Sequence, residues 1–392
     1  MYLKHLSLLN FRNYTHLEID LPRGMVVLHG DNAQGKTNLM EAAYLLSIAK
    51  SFRAANEREV VNRQAAREQG QALVAGLFQT RDETLDVRIG FQCFPSAGPV
   101  DGEYQVRKRV RVNGSTTTAS QVVGMAPAVL FSATDVDLVF GPPASRRRFL
   151  DILLSQVDRQ YLRSLQRYQR VLAHRNQLLK LLRDGHASDE ETAFWDQELV
   201  KEGAFIMRRR REALASIAVL ARERLRSLTR GEEVLEVQYA PSTSYYEANQ
   251  EQQAFDQALA ANRDRERAVG QTLVGPHRDD VRFLVDEMDM GTYASRGQAR
   301  SVALALRLAE AAHLANIKGE QPVLLLDDVL SELDVSRRQQ VMEAAQAYEQ
   351  ALITTTDLNM LEGSTLASAS LFRVSAGGVS HSNMTFRRGP RV

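Results

Sequence analysis

The chain contains very few residues of the kinds that form covalent or metal crosslinks. Cys93 is its only cysteine, which excludes an internal disulfide and any zinc site built from cysteines. No apolar run approaches the ~18 residues that span a bilayer. The N-terminal segment also lacks the apolar core and small-residue cleavage site of a secretion signal. These absences predict a cytoplasmic protein without a membrane partner.

Lysine is also scarce, and the basic charge is unevenly distributed along the chain. Only 7 of the 49 basic residues are lysines, so arginine carries almost all of the positive charge. The 392 residues have a net charge of +1, but residues 141–230 hold 19 basic and 11 acidic side chains, a net of +8. The middle of the chain is therefore its electropositive part.

The apolar pattern changes twice along the chain. Residues 1–140 alternate like strands around a single helix, and residues 141–270 have helical spacing, with long helices expected over 144–182 and 189–228. Residues 271–392 return to strands and helices. The pattern predicts an α/β head in two parts, interrupted by a helical lobe of antiparallel helices.

A phosphate-binding loop follows the third predicted strand. Residues 30–37 match the P-loop pattern G-x-x-x-x-G-K-[ST] and lie between an apolar strand and a helix, as that motif requires. Glycines let backbone amides face phosphates, and a helix N-terminus favours an anion. Lys36 is expected to reach the β- and γ-phosphates, and the Thr37 hydroxyl to ligate Mg²⁺. The predicted nucleotide-binding residues of the loop are Gly30, Asp31, Asn32, Ala33, Gln34, Gly35, Lys36 and Thr37.

A second motif is an apolar strand that ends in two carboxylates. Residues 323–326 read Val-Leu-Leu-Leu, typical of a central parallel strand, and Asp327 and Asp328 follow directly. Ligands bind at the carboxyl ends of such strands. We expect Asp327 to hold Mg²⁺ and Asp328 to orient or deprotonate the attacking water. The alternative is a pair of helix-cap or loop carboxylates.

A third motif, Ser295-Arg296-Gly297-Gln298, opens a predicted helix. A serine hydroxyl and a glycine amide at a helix N-terminus form a second possible anion site, although a helix cap without a ligand is the alternative. With two such helix starts in one chain, we expect a dimer. Each nucleotide would lie between the P-loop of one subunit and Ser295, Gly297 and Gln298 of the other.

Together these motifs resemble the P-loop NTPase head of ABC-type ATPases. In that family's terms they are a Walker A loop at 30–37, a signature at 295–298, a Walker B strand at 323–328 and a D-loop at 331–334. The long helical segment between the first two resembles the SMC-like branch of that family. Further segments resemble the RecF family, namely LLNFRNY near the N-terminus, SFR at 51–53, DLVFGPPASRRRFLD at 137–151, VGPHRDD at 274–280 and LLLDDVLSELD at 324–334.

The resemblance to RecF proteins implies a function and partners. Such proteins bind ATP and dimerise on it, associate with junctions or gaps between single- and double-stranded DNA, and work with RecR and RecO to load RecA. The implied roles are DNA repair, replication and the SOS response. Family members use basic residues near Arg12 and Arg53, which implies phosphate or base contacts there, with surface salt bridges as the alternative.

Two departures from related ATPases imply slow hydrolysis. Thr356 stands at the switch position where transporters have histidine, and Asp328 stands where many ABC ATPases have glutamate. Lys36 and Asp328 are the expected catalytic residues. Two other interpretations stay open, a transporter ATPase subunit and an SMC-like structural clamp without significant turnover.

The expected DNA-binding surface lies on the helical lobe. Arginines spaced three and four residues apart share a helix face, and phosphate contacts from such a face are independent of sequence and sensitive to salt. A solvated charged face is the alternative. The expected DNA-binding arginines are Arg146, Arg147, Arg159, Arg163, Arg167, Arg170, Arg208 and Arg209.

Overall fold

The computed structural model describes residues 1–68, 70–95, 104–243, 250–361 and 363–382. Its strands are β1 (Tyr2–Phe11), β2 (Tyr14–Asp20), β3 (Gly24–His29), β4 (Gln71–Gln79), β5 (Thr84–Pro95), β6 (Tyr104–Val112), β7 (Ser115–Thr117), β8 (Ala128–Ser132), β9 (Leu235–Ala240), β10 (Asp280–Val285), β11 (Met288–Asp289), β12 (Val323–Asp327), β13 (Gln350–Thr355), β14 (Ser370–Ser375) and β15 (Gly378–His381). Its helices are α1 (Lys36–Ile48), α2 (Arg63–Arg67), α3 (Ala119–Val122), α4 (Asp137–Phe140), α5 (Pro143–Val157), α6 (Arg159–Arg183), α7 (Ala193–Leu228), α8 (Glu251–Val269), α9 (Met290–Tyr293), α10 (Arg296–Lys318), α11 (Val335–Gln346) and α12 (Gly363–Ser368).

The chain divides into two compact units. The first contains residues 1–134 and 310–392, and the second contains residues 135–309. The sequence analysis places the second boundary after residue 270, whereas the division of the structure falls after residue 309. The reason is that β10 pairs with β9 in one antiparallel sheet, which ties the segment after residue 270 to the helical unit.

A largely parallel sheet carries the predicted phosphate loop in the first unit. Its strand order is β15-β14-β3-β13-β12-β8, and only β15 is antiparallel. The central strands are apolar and buried, as expected for strands covered on both faces. β13 lies between β3 and β12, so Thr354 is opposite Leu28 on one side and Asp327 on the other.

An antiparallel sheet of order β2-β1-β4-β5-β6-β7 completes the first unit. Its side chains alternate, with Val87 and Ile89 of β5 buried and Arg88 between them exposed. The buried side chains of both sheets and of α1 form one hydrophobic cluster. This packing fixes α1, and with it the loop at its N-terminus.

The second unit is mainly helical. The continuous helix expected over 144–182 is instead two helices, α5 and α6, which Asp158 separates. Asp158 ends α5 and caps α6, since its carboxylate accepts hydrogen bonds from the amides of Gln160 and Tyr161 at 2.8 and 3.1 Å. α7 is a single helix of 36 residues, about 54 Å long. It runs antiparallel to α6, as the pairs Arg209–Asp158 and Arg175–Asp196 at its two ends show.

Within the described ranges, no helix combines the length and the apolar character that crossing a membrane requires.

Candidate nucleotide-binding site

Glycine is required at both ends of the loop between β3 and α1. Gly30 and Gly35 have φ angles of +153° and +117°, in the region that side chains disfavour. A Cβ atom on Gly30 would lie 2.2 Å from the Val374 carbonyl oxygen. A Cβ atom on Gly35 would lie 2.7 Å from the Tyr14 hydroxyl oxygen. The close packing around these two glycines fixes the curvature of the loop.

The tip of the loop is open to solvent, while its base is held by hydrogen bonds. Asp31, Asn32 and Ala33 are exposed, and Ala33 has a positive φ of 64°. The Gln34 carbonyl accepts a hydrogen bond from the Asn13 side-chain amide at 3.0 Å. A ligand therefore has access to the tip of the loop without displacing its supports.

Lys36 lies across the loop that precedes it. Its Nζ atom donates to the carbonyl oxygens of Gly30 at 2.6 Å and Asp31 at 2.8 Å. Burial lowers the pKa of Lys36, while the carboxylates of Asp328, Asp327 and Asp31 oppose that effect. The ammonium group is thus held at the mouth of the loop by acceptors that a phosphate oxygen would replace.

Three side chains meet where β12 and β13 end beside the loop. The Thr37 hydroxyl donates to Asp327 Oδ1 at 3.0 Å, and the Thr354 hydroxyl donates to the same oxygen at 2.9 Å. Burial raises the pKa of Asp327, and the hydrogen bonds from Thr354 and Thr37 partly offset this. Thr37 and Asp327, which are both expected to bind Mg²⁺, therefore lie within hydrogen-bond distance of each other.

Asp328 follows β12 in a constrained backbone conformation. Its φ is +53°, a left-handed value that is uncommon for a residue with a side chain. Its amide donates to the Thr354 hydroxyl at 2.9 Å, and its carbonyl accepts from the Ser331 hydroxyl at 2.8 Å. These two hydrogen bonds hold the turn, and the Asp328 side chain is half-buried beside the loop.

Arg12 forms a buried ion pair rather than the surface salt bridge that the sequence left open. Its guanidinium binds both carboxylate oxygens of Glu41, at 2.8 Å through Nε and 2.6 Å through Nη2, and also the Glu59 carbonyl at 2.6 Å. Glu41 on α1 is fully buried and also accepts from the Ser51 hydroxyl. Arg12 therefore anchors the helix that begins at the phosphate loop.

Arg53 reaches the same helix by a polar relay. Its Nη1 atom donates to Asn38 Oδ1 at 3.1 Å, and Asn38 donates to Asn13 Oδ1 at 2.7 Å. Arg53 is exposed, so its guanidinium is accessible to a ligand at the start of α1.

An open cleft begins beside this relay. Its volume is ≈ 770 Å³, within the range of small-molecule sites. Polar and charged side chains dominate its lining, which consists of Arg12, Asn13, Asn38, Asn56, Arg58, Glu59, Val61, Asn62, Arg63 and Tyr104.

The Ser-x-Gly-Gln segment lies at the start of α10 in the second unit. Ser295 and Gln298 form a reciprocal cap: the Gln298 amide donates to Ser295 Oγ at 3.2 Å, and the Ser295 amide donates to Gln298 Oε1 at 3.1 Å. The Gln298 side chain also donates to Glu233 at 3.0 Å. Ser295 and Gly297 are exposed, and a Cβ atom on Gly297 would meet nothing closer than 3.9 Å.

The structure separates the arginines of the helical unit into two groups. Arg159, Arg163, Arg167 and Arg170 lie exposed on one face of α6, as their spacing predicts. Arg167 is also paired with Glu198 and Glu202 of α7.

The remaining arginines are engaged inside the unit. The expectation of an exposed basic face is wrong for Arg146, which is buried, binds Asp280 at 2.7 Å and donates to the Gly141 carbonyl at 2.9 Å. Arg147 is half-buried and donates to the Asp279 carbonyl at 2.7 Å. Arg208 and Arg209 are also half-buried; Arg208 lies 5.5 Å from the Phe205 ring and Arg209 pairs with Asp158 and Glu212.

Sequence reasoning missed Thr354, Glu41 and Asn38. Glu41 and Asn38 follow the P-loop on α1 at positions that no short motif marks. Thr354 lies in a run of three threonines at the end of β13, and only the position of that strand between β3 and β12 gives it a role. The sequence feature that could have indicated Thr354 is an apolar strand that ends in hydroxyl side chains.

Comparison with known proteins places the whole chain in one family. The profile of the RecF/RecN/SMC N-terminal domain matches residues 2–379. The DNA replication and repair protein RecF of Chloroflexus aurantiacus is 39% identical over 392 residues, covering 97% of this chain and 99% of that protein. RecF of Synechocystis is 39% identical over 388 residues, covering 96% and 97%.

Solved structures agree with the sequence relatives. The recombination mediator protein RecF-ATPrS of the RecFOR pathway superposes with a TM-score of 0.86 at 30% identity, covering 97% of this chain and 98% of that one. The Smc head domain of Pyrococcus furiosus shares the fold, with a TM-score of 0.52 at 16% identity over 96% and 95%. These matches confirm the predicted ABC-type α/β head with an inserted helical lobe and give no support to a transporter subunit. The chain belongs to the RecF family of SMC-like proteins.

Proposed function

We propose that this protein is an ATP-gated DNA-binding protein of recombinational repair and replication. ATP closes a homodimer, the dimer holds a junction or gap between single- and double-stranded DNA, and slow hydrolysis releases it. RecR and RecO are the expected partners in loading RecA, and the DNA substrate implies a cytoplasmic location. The observation that carries the proposal is the Thr37–Asp327–Thr354 contact beside an open phosphate loop, in a chain related to RecF proteins over its whole length.

The triphosphate would lie in the phosphate loop. Lys36 would exchange its two carbonyl acceptors for β- and γ-phosphate oxygens, and the loop amides and the α1 N-terminus would bind the same anion. Asn38 and Arg53 stand at the start of α1, where the polyphosphate leads towards the cleft. The cleft has room for the nucleoside half of ATP, and its amides and arginines supply polar contacts.

The residues present fit a magnesium ion. The Thr37 hydroxyl and the Asp327 carboxylate lie 3.0 Å apart, and hard oxygen ligands of this kind suit Mg²⁺ when phosphate and water complete the shell. No group of three or more acidic, histidine or cysteine side chains gathers into a metal site within the described residues. This supports an ion that is held jointly with the nucleotide. The ion would neutralise charge that develops on the transferred phosphoryl group.

Asp328 is the residue we assign to the attacking water. Its carboxylate is one methylene shorter than glutamate, and its backbone is fixed in the left-handed region by Thr354 and Ser331. A short, constrained base reaches the water less well, which supports slow turnover. Lys36 would stabilise the transition state by its charge.

The dimer contact and the DNA contact are assigned to the second unit. The exposed Ser295 hydroxyl and the open space at Gly297 suit a phosphate of a nucleotide bound to a partner subunit. The α6 face with Arg159, Arg163, Arg167 and Arg170 suits the DNA backbone. Arg147, Arg208 and Arg209 have internal partners and are weaker candidates, and Arg146 is withdrawn from the DNA surface.

The proposal is tested by binding of a fluorescent gapped duplex with and without ATP across a salt series. We expect wild type to need ATP and to lose affinity steeply with salt. Lys36→Met should bind DNA as wild type does without ATP. Lys201→Met, an exposed lysine on α7, is the matched control and should keep the response to ATP. DNA binding that ignores ATP in all three proteins would refute the gating.

The catalytic assignment has its own test. Asp328→Asn should abolish phosphate release and prolong DNA binding in ATP, because the closed dimer no longer reopens. Turnover equal to wild type in this variant would show that Asp328 is not the base.

A further inference from the structure

The antiparallel sheet of the first unit carries a basic surface on one of its faces. Arg107, Arg109 and Arg111 of β6 are exposed and alternate with inward side chains, of which Val110 is buried. We call these three arginines the basic strip. Because β-strand residues on one face repeat about every 6.8 Å, the strip presents three guanidinium groups in a line.

Among the described residues, the three arginines of the strip have no charged partner, in contrast to the cations around them. The inward Lys108 is bound by the Glu57 carboxylate and the Ala49 carbonyl. Within the described part of the chain, the basic strip makes no ion pair and no side-chain hydrogen bond. Arg88 of β5 stands directly opposite Arg111 and is neutralised by Asp86 at 2.8 Å. The described residues of this face therefore carry a net positive charge that no acidic side chain among them neutralises.

The side chains around the strip suit an extended polymer rather than a compact anion. On the neighbouring strand β5, Gly90 lies opposite Arg109 and Gln92 lies opposite Arg107. β5 therefore places no bulky side chain beside these two arginines. At the end of the same face, Phe94 is 40% exposed and lies opposite Gln105. A basic groove with an exposed aromatic ring is the usual platform for single-stranded nucleic acid, whose phosphates meet arginines while bases stack.

We propose that the basic strip is a track for the backbone of single-stranded DNA. The regular spacing of its guanidinium groups is of the same order as that of neighbouring phosphates in an extended strand. The contact is independent of sequence, since nothing on the face is placed to read base edges. This inference rests on the proposed DNA-binding function and assigns the single strand of a gap to the first unit.

The experiment measures anisotropy of a labelled 30-nucleotide oligothymidine with ATP across a salt series. The test protein carries Arg107→Gln, Arg109→Gln and Arg111→Gln. The control carries Lys4→Gln, Arg67→Gln and Arg81→Gln, three exposed cations of the same unit, so that the net charge of both proteins changes equally. Thermal unfolding midpoints show whether both proteins remain folded. A third protein, in which the three arginines of the strip are replaced by lysines, keeps the positive charge and serves as a second control.

We expect the strip variant to bind oligothymidine roughly tenfold more weakly. The slope of log affinity against log salt concentration should also become shallower by about two, since each of three phosphate contacts contributes ~0.7 on single strands. The control and the lysine variant should bind as wild type. Equal binding by the strip variant and the control would overturn the inference. If the glutamine variant is unstable, Arg109→Gln alone should still weaken binding, and no effect of that change overturns the inference as well.

Two further probes distinguish the single strand from duplex DNA and from an acidic protein. Wild-type binding of a gapped duplex without binding of oligothymidine would overturn the inference and leave the proposed function intact, whereas binding of neither would remove both. Poly-L-glutamate serves as the second probe. A strip variant that loses only poly-L-glutamate would identify the strip as a surface for an acidic protein and overturn the DNA assignment.

Discussion

Thr354 connects the Asp327 carboxylate to the Asp328 backbone through one hydroxyl group. The hydroxyl donates to Asp327 and accepts from the amide of Asp328, so it fixes both the carboxylate that is proposed to bind the metal and the turn that carries the proposed base. Valine has nearly the same shape but neither hydrogen-bonding function. The side chain is thus placed to position these two groups.

We expect Thr354→Val to lower the free energy of unfolding by about 1–3 kcal/mol, because the buried Asp328 amide loses its acceptor. ATP turnover should fall further than the stability loss explains. Urea denaturation and phosphate release measure the two effects, and Thr354→Ser should restore both. Wild-type turnover in the valine variant would contradict the positioning role.

His277 makes the stability of the second unit depend on pH. Its Nε2 atom must donate to the Thr272 carbonyl at 3.1 Å, so its Nδ1 atom accepts from the Tyr168 hydroxyl at 2.6 Å. Burial lowers the pKa of His277 to about 4, and the hydrogen bond to Thr272 opposes this. The ring is therefore neutral in the folded protein well below pH 6.5.

In the unfolded chain the His277 ring has its ordinary pKa and binds a proton more tightly than in the folded protein. Its contribution to the free energy of unfolding is therefore complete above pH 6.5 and is lost as the pH falls towards 4. The complete loss amounts to about 3 kcal/mol of unfolding free energy. His277→Gln should flatten the fall of the unfolding free energy between these pH values. His186→Gln, at an exposed histidine, should leave the fall unchanged. An unaltered pH profile in His277→Gln would place the dependence elsewhere.

At the scale of elements, one side chain divides the long helical run. Asp158 ends α5, and its carboxylate caps α6 while binding Arg209 of α7 at 2.9 Å. The break sets where the exposed arginine face of α6 begins, at Arg159. A local capping residue thereby positions a surface that extends three turns along the helix.

Asp158→Ala should destabilise the protein by about 0.5–2 kcal/mol through the lost cap. Asp158→Asn keeps the capping oxygen and should recover most of the loss, while removing the negative charge that pairs with Arg209. Chemical denaturation of both variants separates the cap from the ion pair. If alanine and asparagine are equally destabilising, the ion pair rather than the cap carries the effect.

At the scale of the whole molecule, the proposed function assigns each nucleotide to a site shared by two subunits. Ser295→Arg should leave ATP binding to the P-loop intact and prevent ATP-dependent dimer formation, because the side chain fills the exposed start of α10. Sedimentation velocity with and without ATP measures this. Ala215→Arg, at an exposed position of α7, is the control and should dimerise as wild type. Dimers of normal stability in Ser295→Arg would exclude the signature segment from the interface.

The sequence was most informative where a function depends on contiguous residues. Residues 30–37 and the strand ending at Asp327 could be recognised because loop, helix and strand each leave a short local pattern. The fold class was confirmed for the same reason. The pairing of Arg12 with Glu41 and the burial of Arg146 against Asp280 depend on contacts between distant segments, which periodicity does not report. The basic strip was visible as alternation in β6, but only the sheet shows which face is exposed.

The position of β3 also has a consequence for synthesis on the ribosome. Its neighbours in the sheet, β13 and β14, begin at Gln350 and Ser370, whereas β3 ends at His29. At about 5–20 residues per second, β3 waits on the order of half a minute with both edges unpaired. During that interval its apolar side chains and unpaired backbone groups are exposed to aggregation, so we expect the nascent chain to need chaperones until its last strands emerge.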